Sequence, residues 1–166
     1  MKNKQSLCAI SLCLILIGNA SVKVGAFDTR DLEKLNTTGM CKSCNLIRVN
    51  LTGTNLSNAD LNKASLIGAD LSKINLRGAN LNWAILKMVS LRGSDLSDGK
   101  LVKVNLRKAD LTGANLSKSN LSGAYLRESN LTNANLNEAN LTGAIMTGAV
   151  FCLTIMPDGT TNNSDC

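Results

Sequence analysis

Ala59-Asp60-Leu61-Asn62-Lys63-Ala64-Ser65-Leu66-Ile67-Gly68-Ala69-Asp70-Leu71-Ser72-Lys73 holds the rule that most of the chain obeys. Leucine occupies the centre of each five-residue unit from Leu46 to Leu141, and Met146 and Phe151 take the last two centres. Two residues before each of these 22 centres sits a small or β-branched side chain, which is alanine in twelve units. A period of five fits neither regular element. On an α-helix, residues five apart differ by about 140° net, so the leucines would spiral over every side. On a straight strand an odd spacing sends successive leucines to opposite faces. A chain that bends once per unit keeps every leucine and its small partner turned toward one axis. The repeat therefore reads as an all-β solenoid with corners.

The remaining positions suit corners. Asn or Asp precedes the centre in 15 of 22 units, and such side chains hydrogen-bond nearby backbone. Glycine stands two after the centre in eight units, where it supplies the positive φ of a type II turn. Units with Lys63, Lys73, Asp98 or Glu138 at that place are expected to use other turns, giving mixed corners. At Gly99-Lys100 an inward slot holds glycine and the polar slot holds lysine, so this coil is expected to loosen or bulge.

Ala59-Asp60-Leu61-Asn62-Lys63 and Ala69-Asp70-Leu71-Ser72-Lys73 resemble the pentapeptide-repeat family. The resemblance spans residues 44–151 and implies a right-handed quadrilateral β-helix, four units to the coil. Coils stacked at roughly 4.8 Å would give a rod of about 26 Å.

Around the repeat, residues 1–26 read as a signal peptide. Lys2 and Lys4 lead an apolar run from Leu7 to Ile17, and Ala20 or Ala26 closes a small-residue cleavage site. The run is too short to span a bilayer, so no stable membrane insertion is expected after cleavage. Loss of Lys2, Lys4 and Lys23 takes 18 basic residues to 15 against 12 acidic, a mature net charge of +3. Residues 27–43 read as an N-terminal helical cap, with Asp28 or Thr29 at its start, Leu32 and Leu35 on one side and Gly39 near its end. Its expected role is a lid on the open ladder edge of the solenoid. Residues 152–166, with the turn signature Pro157-Asp158-Gly159, read as a C-terminal cap.

The chain has no histidine, which removes His ligands, His bases and triads. Its four aromatics are too few for base-stacking platforms, and no nucleic-acid partner is expected. A filled interior leaves no cleft for catalysis, so neither an enzyme nor a cofactor is expected. Cys41, Cys44, Cys152 and Cys166 survive in the mature chain, an even count that argues for two disulfides in an exported protein, with three possible pairings. Cys41 and Cys44 occupy inward slots that flank one corner, close enough to bridge, while Cys152 and Cys166 stand at the opposite end. The ends as a whole, Cys41-Lys42-Ser43-Cys44-Asn45-Leu46 and Cys152 through Cys166, resemble exported cyanobacterial pentapeptide-repeat proteins. That resemblance implies two terminal disulfides and a location in the periplasm or thylakoid lumen, with no assigned role.

With four units per coil, every fourth unit stacks in one column. One column reads Ile47, Ile67, Lys87, Arg107, Arg127, Thr147, with Lys108 alongside and Glu128 partly neutralising it; another reads Lys63, Trp83, Lys103, Gly123, Gly143. These columns make Lys63, Trp83, Lys87, Lys103, Arg107, Lys108 and Arg127 the candidate partner-binding surface, Trp83 as an exposed anchor. The expectation is a non-enzymatic protein-interaction or structural module. Topoisomerase protection by DNA mimicry, as in the quinolone-resistance members of the family, calls for an acidic cytoplasmic rod; the leader, the positive mature charge and the Lys87–Arg107–Arg127 column speak against it.

Overall fold

A computed structural model of the protein describes residues 27–166. The expected signal peptide, residues 1–26, lies outside the described residues. From Met40 to Ile155 the chain forms a parallel ladder in which each residue before a centre pairs with the residue 20 further on, beginning with Met40 and Asp60 and ending with Asn135 and Ile155. An offset of four five-residue units makes the coil four-sided. Each side contributes a single ladder residue, too short a run to be a strand.

The unit centred on Leu61 shows why this geometry closes. The Leu61 N–H donates to the Asn80 carbonyl (2.8 Å), Lys63 to Asn82 (2.9 Å), and Ser65 back to Cys44 (2.9 Å). Ala64 N–H closes the corner on the Leu61 carbonyl at 3.0 Å. The fifth amide, Asn62, donates to Asp60 Oδ1 at 3.1 Å. All five backbone donors are thus satisfied, three by neighbouring coils, as a chain with no continuous helix or strand requires. Every one of the 15 Asn and Asp residues in the polar slot accepts such a bond from the amide two residues on.

The corners are not mixed. At each position two after a centre, from Ser43 to Leu153, φ lies between 54° and 70° whether the residue is glycine, lysine, aspartate or tryptophan. A left-handed conformation costs a side-chain-bearing residue about 1–2 kcal/mol. From Ser43 to Glu138 the same residue donates its amide to the next coil, so coil register dictates the corner and overrides local preference. The Gly99-Lys100 coil does not bulge either. Gly99 and Lys100 keep their ladder bonds to Asn120 and Ala79, and Asn82 Oδ1 from the coil below accepts the Val102 amide (2.8 Å) that Lys100 cannot cap.

Leucine and its small partner fill the interior from Leu46 to Ala139, nearly all of them fully buried. Helix α1 (Thr29–Thr38) closes the first coil. Asp28 caps its start, Gly39 ends it in the left-handed region, and Leu35 is buried against the core with Phe27 and Leu32 beside it. Asp31 Oδ2 accepts the Asn45 amide at 2.7 Å, tying the helix to the exposed ladder edge. Because the ladder starts at Met40, the first corner lies inside the segment expected to be cap, residues 27–43. At the other end a hairpin of β1 (Thr154–Ile155) and β2 (Thr161–Asn162) folds over the last coil, and Asp165 accepts the Phe151 amide at 2.8 Å. This cover is partial: Leu141, Met146 and Phe151 are only partly buried. Cys41 is bonded to Cys44 within the buried interior of the first coil, and Cys152 to Cys166 at the outer end.

Candidate functional site

All seven residues of the candidate surface lie along one of the four walls. Its ladder column is Asn45, Ser65, Ile85, Asn105, Tyr125, Ile145. Lys63, Trp83 and Lys103 stack along the corner that enters this wall, and Lys87, Arg107, Arg127 and Lys108 along the corner that leaves it. The four cysteines are not part of it; they staple the two ends.

The wall also carries exposed residues that the column reading passed over: Ile85, Tyr125, Ile145 and Met88. The signal for them was present. Seven of 22 units lack Asn or Asp before the centre, and Ile85, Tyr125 and Ile145 are three of those seven, separated by multiples of one coil. The other three walls carry Asn, Asp or Ser at most of their ladder positions. This wall is the one with a repeated apolar column.

Trp83 is half exposed (51%), and the Lys103 ammonium sits 4.5 Å from the centre of its ring. The side chain of Lys103 reaches this place across Gly123, whose missing Cβ would stand 3.1 Å from Lys103 Cγ. Along the opposite corner, Glu128 bridges Arg107 (3.0 Å) and Lys108 (3.3 Å). Those two cations hold the Glu128 carboxyl below its ordinary value, the Arg107 hydrogen bond contributing most. Lys87 and Arg127 have no carboxylate within ion-pair distance among the described residues. Counted over the wall and its two corners, Lys42, Arg48, Lys63, Lys87, Lys103, Arg107, Lys108 and Arg127 face a single acid, Glu128. Eight of the 15 described basic residues and one of the 12 acidic ones thus share this face, and the other described residues are net negative. Such an arrangement attracts anionic surfaces.

Replacement of the polar slot has a second consequence here. Asn105 accepts the Arg107 amide at 3.2 Å. Ile85 and Tyr125 have no oxygen in the corresponding place, so the amides of Lys87 and Arg127 find no protein acceptor among the described residues. At Ile85 and Tyr125 the loss of the cap puts an apolar side chain, an open N–H and a cation with no ion-pair partner among the described residues side by side.

A sequence profile for Pentapeptide repeats matches residues 44–82, 74–113, 90–127, 109–148 and 119–156, in eight copies. No protein of curated function matches the chain. Among solved structures, the chain is similar to HetL, a pentapeptide repeat protein involved in heterocyst differentiation regulation from the cyanobacterium Nostoc sp. strain PCC 7120. Identity is 36% over 74% of this chain and 60% of that one, with a TM-score of 0.54. The present chain therefore spans about 60% of the length of HetL. Rfr23 from the cyanobacterium Cyanothece 51142 is 31% identical over 73% of this chain and 92% of that chain, TM-score 0.39. QnrB1, a plasmid-mediated fluoroquinolone resistance protein, is 23% identical over 68% of this chain and 70% of that chain, TM-score 0.37.

Proposed function

Starting from the fact that the chain belongs to the pentapeptide-repeat family, with its right-handed β-helix, we propose that it is a non-enzymatic protein-interaction module of an exported compartment, the periplasm or thylakoid lumen. The observation that carries this reading is the concentration of chemistry on one outer wall: Trp83, Lys103, Arg107 and Arg127 stand on a rigid frame whose interior is filled by leucine and alanine. An exposed tryptophan among arginines has the composition of an interface anchor. Export is supported by the leader-like residues 1–26 and by cysteine pairs at both ends. A topoisomerase-protecting DNA mimic is disfavoured because the most charged wall is basic.

Fractionation of the native host tests the compartment; recovery of the protein in the cytoplasm would end the exported reading. Pull-down from that compartment with the wild type and a Trp83→Ala, Arg107→Glu, Arg127→Glu variant tests the surface. The variant is expected to lose the partner, and equal recovery by both would exclude this wall.

A further inference from the structure

The open amides of Lys87 and Arg127 bear on what kind of partner the wall fits. Elsewhere on the rod, an Asn or Asp oxygen accepts 16 of the 20 corresponding donors. At Ile85 and Tyr125 that oxygen is gone, and what remains is a donor, a cation without a counter-ion, and an exposed apolar side chain. The acceptor that completes such a corner must come from outside, must be anionic to suit Lys87 and Arg127, and must bring apolar surface to cover Ile85 and Tyr125.

Resting on the interaction reading above, we propose that this wall binds an extended acidic segment of a partner protein, its carboxylates seated at the Lys87 and Arg127 corners and its apolar residues on Ile85 and Tyr125. The two corners are two coils apart, about 9.6 Å at ladder spacing. Three residues of polyproline-II backbone, which make one full turn, advance about 9.3 Å. Acidic residues three apart on such a segment would therefore meet both corners. A single wall of a slender rod is narrow for a folded partner, since a stable interface covers about 800 Å² on each side. A bilayer fits less well, because the Trp83 ring lies under the Lys103 ammonium, and inserting the ring would carry that charge with it or break the contact.

The test uses the full chain and a fluorescein-labelled peptide of four Glu-Pro-Leu units, with a Lys-Pro-Leu peptide and phosphatidylglycerol-containing vesicles as the other arms. Binding of the Glu peptide is expected, weakening as salt is raised. The deciding variant is Ile85→Asn with Tyr125→Asn. It keeps every cation and restores the polar slot used in most other units, so it is expected to fold at least as stably as wild type and to bind the Glu peptide about tenfold more weakly. Lys87→Glu with Arg127→Glu should do the same, while Lys73→Glu with Lys118→Glu, on other corners, should leave binding unchanged. Undiminished binding by the Asn variant, equal loss from the Lys73 and Lys118 changes, or binding to vesicles alone would overturn the proposal. A partner captured equally by wild type and the Asn variant, yet lost by the Trp83, Arg107, Arg127 variant, would leave the interaction reading standing and remove the acidic segment.

Discussion

Lys103 lies one coil above Trp83 and places its ammonium 4.5 Å from the centre of the indole ring, on the corner that enters the apolar wall. A cation over an exposed ring contributes about 0.5–1 kcal/mol. Trp83 is the only tryptophan of the chain, so its fluorescence reports this contact alone. Lys103→Ala is expected to raise the acrylamide quenching constant of Trp83 while lowering stability by less than about 1 kcal/mol. Unchanged quenching would mean that the ammonium does not shield the ring.

Gly99 offers a second test, because consensus and structure disagree there. Twelve sister positions are alanine, and restoring the consensus residue ordinarily stabilises a protein. Here an added Cβ would lie 2.8 Å from the Leu96 carbonyl oxygen and 3.0 Å from Leu101 Cδ1. Gly99→Ala is therefore expected to destabilise by about 1–2 kcal/mol through overpacking. Urea denaturation measures it; a gain in stability would show that the coil relaxes freely.

Acid should weaken the fold. The Ser72 hydroxyl and amide hold the Asp70 carboxyl below its ordinary 3.8. At Asp110 burial pushes the other way, but the Thr112 hydroxyl and Arg92 outweigh it and the value is again lowered. Glu128 is lowered from 4.5 by Arg107 and Lys108. A lowered carboxylate binds its proton more weakly in the folded state than in the unfolded one. Its stabilisation is therefore fully present above the ordinary value and is lost as pH falls through the lower folded one. The melting temperature is expected to hold above pH 4.5 and decline below 3.8, and Asp70→Asn with Asp110→Asn should flatten the decline. A melting temperature independent of pH in that range would contradict these bonds.

The two disulfides should reduce in order. Cys41 and Cys44 are buried beneath α1, whereas Cys166 is exposed and Cys152 partly so. Mild reductant followed by alkylation is expected to label Cys152 and Cys166 first. Opening that loop of 14 residues should cost about 3 kcal/mol, confined to the terminal hairpin. Simultaneous labelling of all four would show that the first coil opens as readily as the last.

The coil, its buried contents and the stapled ends could be read from residue order because a solenoid repeats one local decision. Leu61, Leu81 and Leu101 face inward for the same reason, so periodicity stands in for tertiary structure. The site was half legible. Trp83 and the basic columns emerge from stacking every fourth unit, but a count of Asn and Asp over all units does not single out Ile85, Tyr125 and Ile145, which the ladder places on one wall. The corners at Lys63 and Asp98 and the coil at Gly99 went the other way: residue preference argued for irregularity, and the structure is regular.

Residue order by itself determined that the chain bends once every five residues around an interior of leucine and small side chains, since no other path keeps them all from water. Tertiary structure alone decided the shape of each corner and the company each outward residue keeps. From Ser43 to Glu138 the donor at each corner is claimed by the neighbouring coil, so a lysine or tryptophan there takes the backbone that register demands. Where a cap is missing, its absence acquires meaning only beside the cations of the coils above and below.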